Sequence, residues 1–239
     1  MADDRSIVVV LAHPDDESFG MGGALAKYAA QGTAVTLICA TRGEAGVPGL
    51  GPEQAARVRE RELLEAARCL GLAEVRFLDC RDGELDRADQ DTLVARLSAA
   101  LRELRPQAVI TFGPDGISGH ADHIAISRLT TRAFDQTGLS AALYYLAPSD
   151  ATQQGCGVAP SRQGAGGPVA AIDVADHLVT KVKAMQCHTS QHPPYPGKPE
   201  EEASRLACHE YFTLVRPTSW TTDVTDLFAP LEGIQPGSH

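Results

Sequence analysis

Lysine and arginine nowhere form a run in this chain of 239 residues, and acidic side chains outnumber basic ones 31 to 21, for a formal charge of -10. A surface of that sign repels phosphodiesters and anionic headgroups, which excludes nucleic acid and a membrane surface as main partners. No apolar stretch nears the roughly 20 residues that cross a bilayer. The first such stretch, Ser6–Ala12, follows an acidic Met-Ala-Asp-Asp start rather than the basic segment of a signal peptide, so a cytoplasmic location is expected. The cysteines (Cys39, Cys69, Cys80, Cys156, Cys187 and Cys208) are scattered with no CxxC pair, and mostly buried, reduced thiols are expected. A GxSxG nucleophile elbow is absent, and Cys187 beside His188 is a poor geometry for a nucleophile and its base. Gly20-Met21-Gly22-Gly23 misses the GxGxxG spacing, and Asp15, Asp16 and Glu17 stand where a pyrophosphate needs bare amides. These glycines read instead as room for close helix packing. No internal repeat interrupts the chain.

The remaining composition, 43% hydrophobic and 22% charged, is that of one globular domain of ordinary kind. Short β-branched runs alternate with helical patterns. Strands are expected at Ser6–Ala12, Ala34–Ala40, Val75–Leu78, Ala108–Phe112 and Ala142–Leu146. Helices are expected at Gly22–Gln31, Pro52–Leu70, Asp91–Leu104 and Ala121–Thr137, several of them stopped by glycine. Beyond Pro148 the rhythm breaks. A Gly/Pro/Ser-rich stretch at 151–168 reads as a loop or flap. It is followed by a strand at Val169–Val174, helices near Ala175–Gln186 and Glu200–Cys208, a strand at Tyr211–Val215 and an irregular tail at 216–239. Such alternation implies an α/β fold: a Rossmann-like, doubly wound, mostly parallel sheet flanked by helices, with residues 1–239 as a single domain.

Two clusters carry the chemistry. His13-Pro14-Asp15-Asp16-Glu17 leaves the carboxyl end of the first strand, and His120-Ala121-Asp122-His123 follows that of the fourth. In a doubly wound sheet these strands flank the crevice where ligands bind. His13, Asp16 and His123 then supply two imidazoles and a carboxylate, an open three-ligand set suited to Zn²⁺ and equally to Fe²⁺. Asp15 is free to accept a proton from an attacking water, protonated His120 to donate to an oxyanion or leaving amine, and Asp122 to orient an imidazole. Taken singly, each cluster is equally well read as helix capping and a solvated helix start. Arg42-Gly43-Glu44, at the end of the second strand, can line the same crevice, and the 45–51 loop can cover it. Arg59 and Arg61 read as helix-surface charges, one of them within reach of a substrate. His188-Thr189-Ser190-Gln191 reads equally as a support for the site and as a turn. His177, His192, His209 and His239 have no partner pattern.

In these motifs the chain resembles the LmbE-like, PIG-L-type zinc de-N-acetylases over roughly residues 6–215. The resemblance rests on AHPDDE at Ala12–Glu17, TRGEAG at Thr41–Gly46, RxxEL at Arg59–Leu63, GHADH at Gly119–His123, KxxAMxxHxSQ at Lys181–Gln191 and ExF at Glu210–Phe212. It implies a Rossmann-like fold and hydrolysis of the N-acetyl group of an N-acetylglucosamine conjugate. It also implies zinc on His13, Asp16 and His123, Asp15 as base, His120 at the oxyanion, Arg59 against the substrate, and a homo-oligomer, including hexamers. Ser118 stands where inositol-acting members can carry a tyrosine, which favours a malate-linked glucosaminide as in bacillithiol synthesis. Two other readings stay open: a related metal amidase acting on thiol conjugates or another N-acyl substrate, and a non-catalytic sugar- or nucleotide-binding protein.

Overall fold

The computed structural model describes residues 5–147, 168–220 and 222–232; the expected 151–168 loop falls, but for Pro168, outside them. Seven strands form one sheet: β1 (Ser6–Leu11), β2 (Ala34–Thr41), β3 (Glu74–Cys80), β4 (Ala108–Phe112), β5 (Ala142–Ala147), β6 (Val169–Asp173) and β7 (His209–Arg216). Their order is β3-β2-β1-β4-β5-β7-β6. The first five are parallel, β7 runs antiparallel to β5, and β6 runs antiparallel to β7. β1 and β4 are neighbours, with Val8 opposite Val109, so the carboxyl ends of both strands open on one crevice. Both strands are buried along nearly their whole length, the consequence of helices covering both faces of a parallel sheet.

Helices α1 (Asp16–Ala30), α2 (Pro52–Leu70) and α5 (Leu178–Cys187) pack together, as do α3 (Gln90–Leu104) and α4 (Ala121–Thr137). Short helices α6 (Pro199–Ala203) and α7 (Ala229–Glu232) complete the described elements. Local chemistry sets several boundaries. Pro52 opens α2 and Gly71, at φ 78°, closes it. Asp89 caps α3 by accepting from the Asp91 and Thr92 amides. Among the described residues no helix is long and apolar enough to cross a membrane.

Three findings depart from the sequence reading. Helix α1 begins at Asp16 rather than Gly22, because two helical segments join across a kink at Met21 (φ -148°). The second segment has its own acceptor: the Glu210 carboxylate takes the Gly23 and Ala24 amides at 3.0 and 2.7 Å. Gly23 permits this approach, since a Cβ there would lie 2.8 Å from Val174 Cβ. In the tail, Leu227 and Phe228 are buried, and Leu227 bonds through its amide to Tyr28 Oη and through its carbonyl to Tyr144 Oη, both at 2.9 Å. Lastly, Cys39, Cys69, Cys80 and Cys187 are free thiols as expected, whereas Cys208 is disulfide-bonded.

Candidate metal centre and active site

His13 is the second residue after β1. Its imidazole is 8% exposed, and its two ring nitrogens face different surroundings. Nε2 lies 3.1 Å from Asp122 Oδ2 and 3.1 Å from Asp82 Oδ1. Nδ1 points the other way, 3.2 Å from His123 Nε2 and 3.8 Å from Asp16 Oδ2. His123 has the complementary arrangement: Nδ1 is 3.1 Å from the Gly116 carbonyl, while Nε2 is 3.3 Å from Asp16 Oδ1. His13 Nε2 and His123 Nδ1 thus lie against fixed oxygens, which leaves His13 Nδ1 and His123 Nε2 as the nitrogens that neutral rings could offer a metal.

His123 Nε2 lies 3.2 Å from His13 Nδ1 and 3.3 Å from Asp16 Oδ1, while the other Asp16 oxygen, Oδ2, accepts the His13 amide at 2.7 Å and stands 3.8 Å from His13 Nδ1. Tetrahedral zinc with bonds of roughly 2.0–2.2 Å requires ligand–ligand spans of roughly 3.3–3.6 Å. The donor types suit a divalent cation, and the two spans from His123 Nε2, to His13 Nδ1 and to Asp16 Oδ1, lie close to these values. Among the described residues, the groupings whose ligand atoms all lie within 4.8 Å of one another are His13/His120/His123 and His13/Asp82/Asp122, and neither includes Asp16. In the latter, Asp122 is committed elsewhere, accepting from the Gly83 and Leu85 amides at 2.7 and 3.1 Å. Asp82 accepts the Ala45 amide at 3.0 Å. Both carboxylates consequently hold His13 from behind.

The loop before α4 makes this arrangement possible. Gly116 is at φ 65°, and a Cβ on it would lie 2.9 Å from that of His123. Phe112, the last residue of β4, stacks on the His123 ring with centroids 4.0 Å apart and 5° between planes. His120 is the N-cap of α4 and is exposed. Its Nδ1 accepts the Asp122 amide at 3.2 Å, so a neutral ring carries its proton on Nε2, whereas the sequence reading used a protonated ring. Its ring meets those of His13 and His123 at centroid distances of 4.8 and 5.0 Å.

Asp15 stands at the N-cap of α1 with φ 108°, a conformation rare for a residue with a side chain. Its Oδ2 accepts from Arg59 Nη2 at 2.8 Å, and the same nitrogen donates to the Pro14 carbonyl. Arg59 is 4% exposed, so it is a buried partner of Asp15 and not a surface charge of α2. Glu44 accepts the Asp82 amide at 2.9 Å and thereby joins the 45–51 loop to the segment behind His13. Arg42 serves structure, pairing with Asp79 at 2.9 Å and lying over Phe77 at 4.2 Å.

Electrostatics follow from this crowding. Burial alone opposes charge on His13, but Asp122, Asp82 and Asp16 around it win and raise its pKa to about 10. Burial likewise opposes charge on Asp16, and bonding to His123 and the charge of His13 outweigh it, holding this carboxylate below the usual range. Asp15 is pushed up to about 7 by burial, with the charge of Asp16 adding and Arg59 opposing. A carboxyl so placed exchanges protons near neutrality.

Sequence reasoning brought together His13, Asp15, Asp16, His120, Asp122 and His123, and the structure does the same. It missed Asp82, whose signal was its position just past the carboxyl end of β3. It also left open Glu17, Glu62 and the 188–191 segment, which converge beneath Asp15.

Residues 8–134 match the family described as PIG-L: GlcNAc-PI de-N-acetylase. A 1D-myo-inositol 2-acetamido-2-deoxy-alpha-D-glucopyranoside deacetylase from Acidothermus cellulolyticus is 34% identical, with 98% of this chain and 97% of the relative aligned. Several other curated relatives align over only about half of their own length. Among solved structures, the N,N'-diacetylchitobiose deacetylase of Pyrococcus horikoshii is 23% identical with a TM-score of 0.66, covering 89% of this chain and 84% of its own. The 4-carboxy-2-hydroxymuconate hydratase of Pseudomonas putida is 24% identical with a TM-score of 0.67, covering 89% and 97%. The fold alone therefore spans more than one reaction. By its sequence match over more than half its length and its full-length relative, the chain belongs to the PIG-L de-N-acetylase family.

Proposed function

We propose that this chain is a metal-dependent hydrolase that removes the N-acetyl group from an N-acetylglucosamine conjugate. One observation carries this reading: His13 Nδ1 and Asp16 Oδ1 both stand against His123 Nε2, while the remaining nitrogen of each imidazole faces a fixed oxygen. Bound by these three side chains, zinc or ferrous iron supplies Lewis acidity toward the acetyl carbonyl and the attacking water. The protein groups then divide the proton work. Arg59 holds Asp15 Oδ2, which leaves Oδ1 to take the proton from the water. His120, fixed at the helix N-terminus, donates from Nε2 to the carbonyl oxygen as it gains charge. Asp122 and Asp82 keep the His13 ring oriented throughout.

The Acidothermus relative is named for an inositol-linked substrate, which supports that aglycone first. Ser118 instead favours a malate-linked conjugate, because no phenol stands there to meet an inositol ring. The test is to load the protein with Zn²⁺ or Fe²⁺, incubate it with inositol-linked, malate-linked and simple N-acetylglucosaminides, and assay primary amine and acetate. Amine with equimolar acetate is the expected result. Release of larger acyl groups only would instead support the amidase reading. Binding without turnover under either metal would support a sugar-binding protein.

A further inference from the structure

We infer that Glu17, His188 and Glu62 form a buried positioning unit for Asp15, and that the 188–191 segment is a working part of the site. This inference rests on Asp15 being the base proposed above. Glu17 and His188 are both 0% exposed. Glu17 Oε2 accepts the Asp15 amide at 3.0 Å, and Oε1 accepts from His188 Nε2 at 2.7 Å and Ser18 Oγ at 2.6 Å. His188 is in turn placed by α2, because Glu62 accepts from Thr189 Oγ1 and the Ser190 amide at 2.8 Å and from Ser190 Oγ at 2.7 Å.

These contacts close a circuit. Arg59 and Glu62 lie three apart on α2, on one helix face. Arg59 grips the Asp15 carboxylate, and Glu62 works through His188 and Glu17 on the Asp15 backbone. At φ 108° Asp15 holds a backbone conformation rare for a residue with a side chain, and its amide is met by the fully buried Glu17 carboxylate. Ordinary capping does not explain the arrangement. A capping carboxylate sits at a solvated helix start, whereas this one is sealed and tied to a histidine 171 residues away.

The test compares His188→Leu, which removes the donor, with His188→Gln, which keeps one. Turnover is followed alongside metal content and hydrogen exchange of the Asp15 amide. His188→Leu should lower kcat by roughly 10²-fold with KM changed less than about twofold. It should keep full metal content and hasten exchange at Asp15 without hastening it across the core, and His188→Gln should recover most of the activity. Should His188→Leu fail to fold, Thr189→Val combined with Ser190→Ala removes both side-chain bonds to Glu62, leaving only the Ser190 amide, and must depress kcat in the same direction. Wild-type kcat in these variants, or activity lost only in step with metal or global protection, overturns the inference. Faster exchange at Asp15 in a protein whose parent hydrolyses no N-acetylglucosaminide would leave the positioning unit standing and remove the proposed function.

Discussion

In the proposed centre His13 and His123 each turn one nitrogen to a fixed oxygen and the other inward, so the residues behind the rings matter as much as those in front. Gly116 shows the point most sharply. It combines positive φ, contact with the His123 backbone side and a carbonyl that fixes the His123 ring. Gly116→Ala should cost at least about 1 kcal/mol of stability and weaken metal binding roughly 10–100-fold; thermal unfolding and metal titration would check both. Asp15→Asn should lower kcat by roughly 10²–10⁴-fold with metal content intact, since Asp15 is the proposed base, held by Arg59, and is not one of the proposed ligands. The front residues were legible from the sequence because His, Asp and their spacing are themselves the chemistry. Asp82, Glu17, Glu62 and His188 were not, since their roles arise from contacts between segments far apart in the chain, and an isolated Asp or Glu gives no sign of what it will face.

At the scale of elements, boundaries were readable wherever a local stop signal coincides with the end of packing. Helices α2 and α4 and strand β4 fall where Pro52, Gly71, Gly138 and the apolar run 108–112 place them. Helix α1 was not, because its kink at Met21 is stabilised by Glu210 from β7, a partner no local pattern reveals. Glu210 also pairs with buried Lys181 at 2.6 Å. Glu210→Ala would strand that ammonium and two helix amides, so a loss of about 3–5 kcal/mol is expected in chemical denaturation; a loss below 1 kcal/mol would remove the cap. Asp89 offers a pH test at α3. Its bonds to Thr92 and the Asp91 amide hold its carboxyl below 3.8. A folded pKa beneath the unfolded one stabilises the fold above the unfolded value, and that contribution fades as pH falls through the folded value. The Tm of Asp89→Ala should therefore lie below that of the parent at pH 7, and the gap should close in strong acid. A gap independent of pH would show that the carboxylate charge contributes nothing.

Over the molecule as a whole, the alternation of strands and helices, taken with the usual doubly wound strand order, places β1 beside β4, and that adjacency is what unites two clusters more than a hundred residues apart in sequence. The central claim, that His13, Asp16 and His123 share one divalent ion, is tested most directly by metal analysis of dialysed protein. One zinc or iron per chain is expected in the parent and in Asp15→Asn, with loss of the ion in His13→Ala and in His123→Ala. Full retention of metal by either histidine variant would contradict the account.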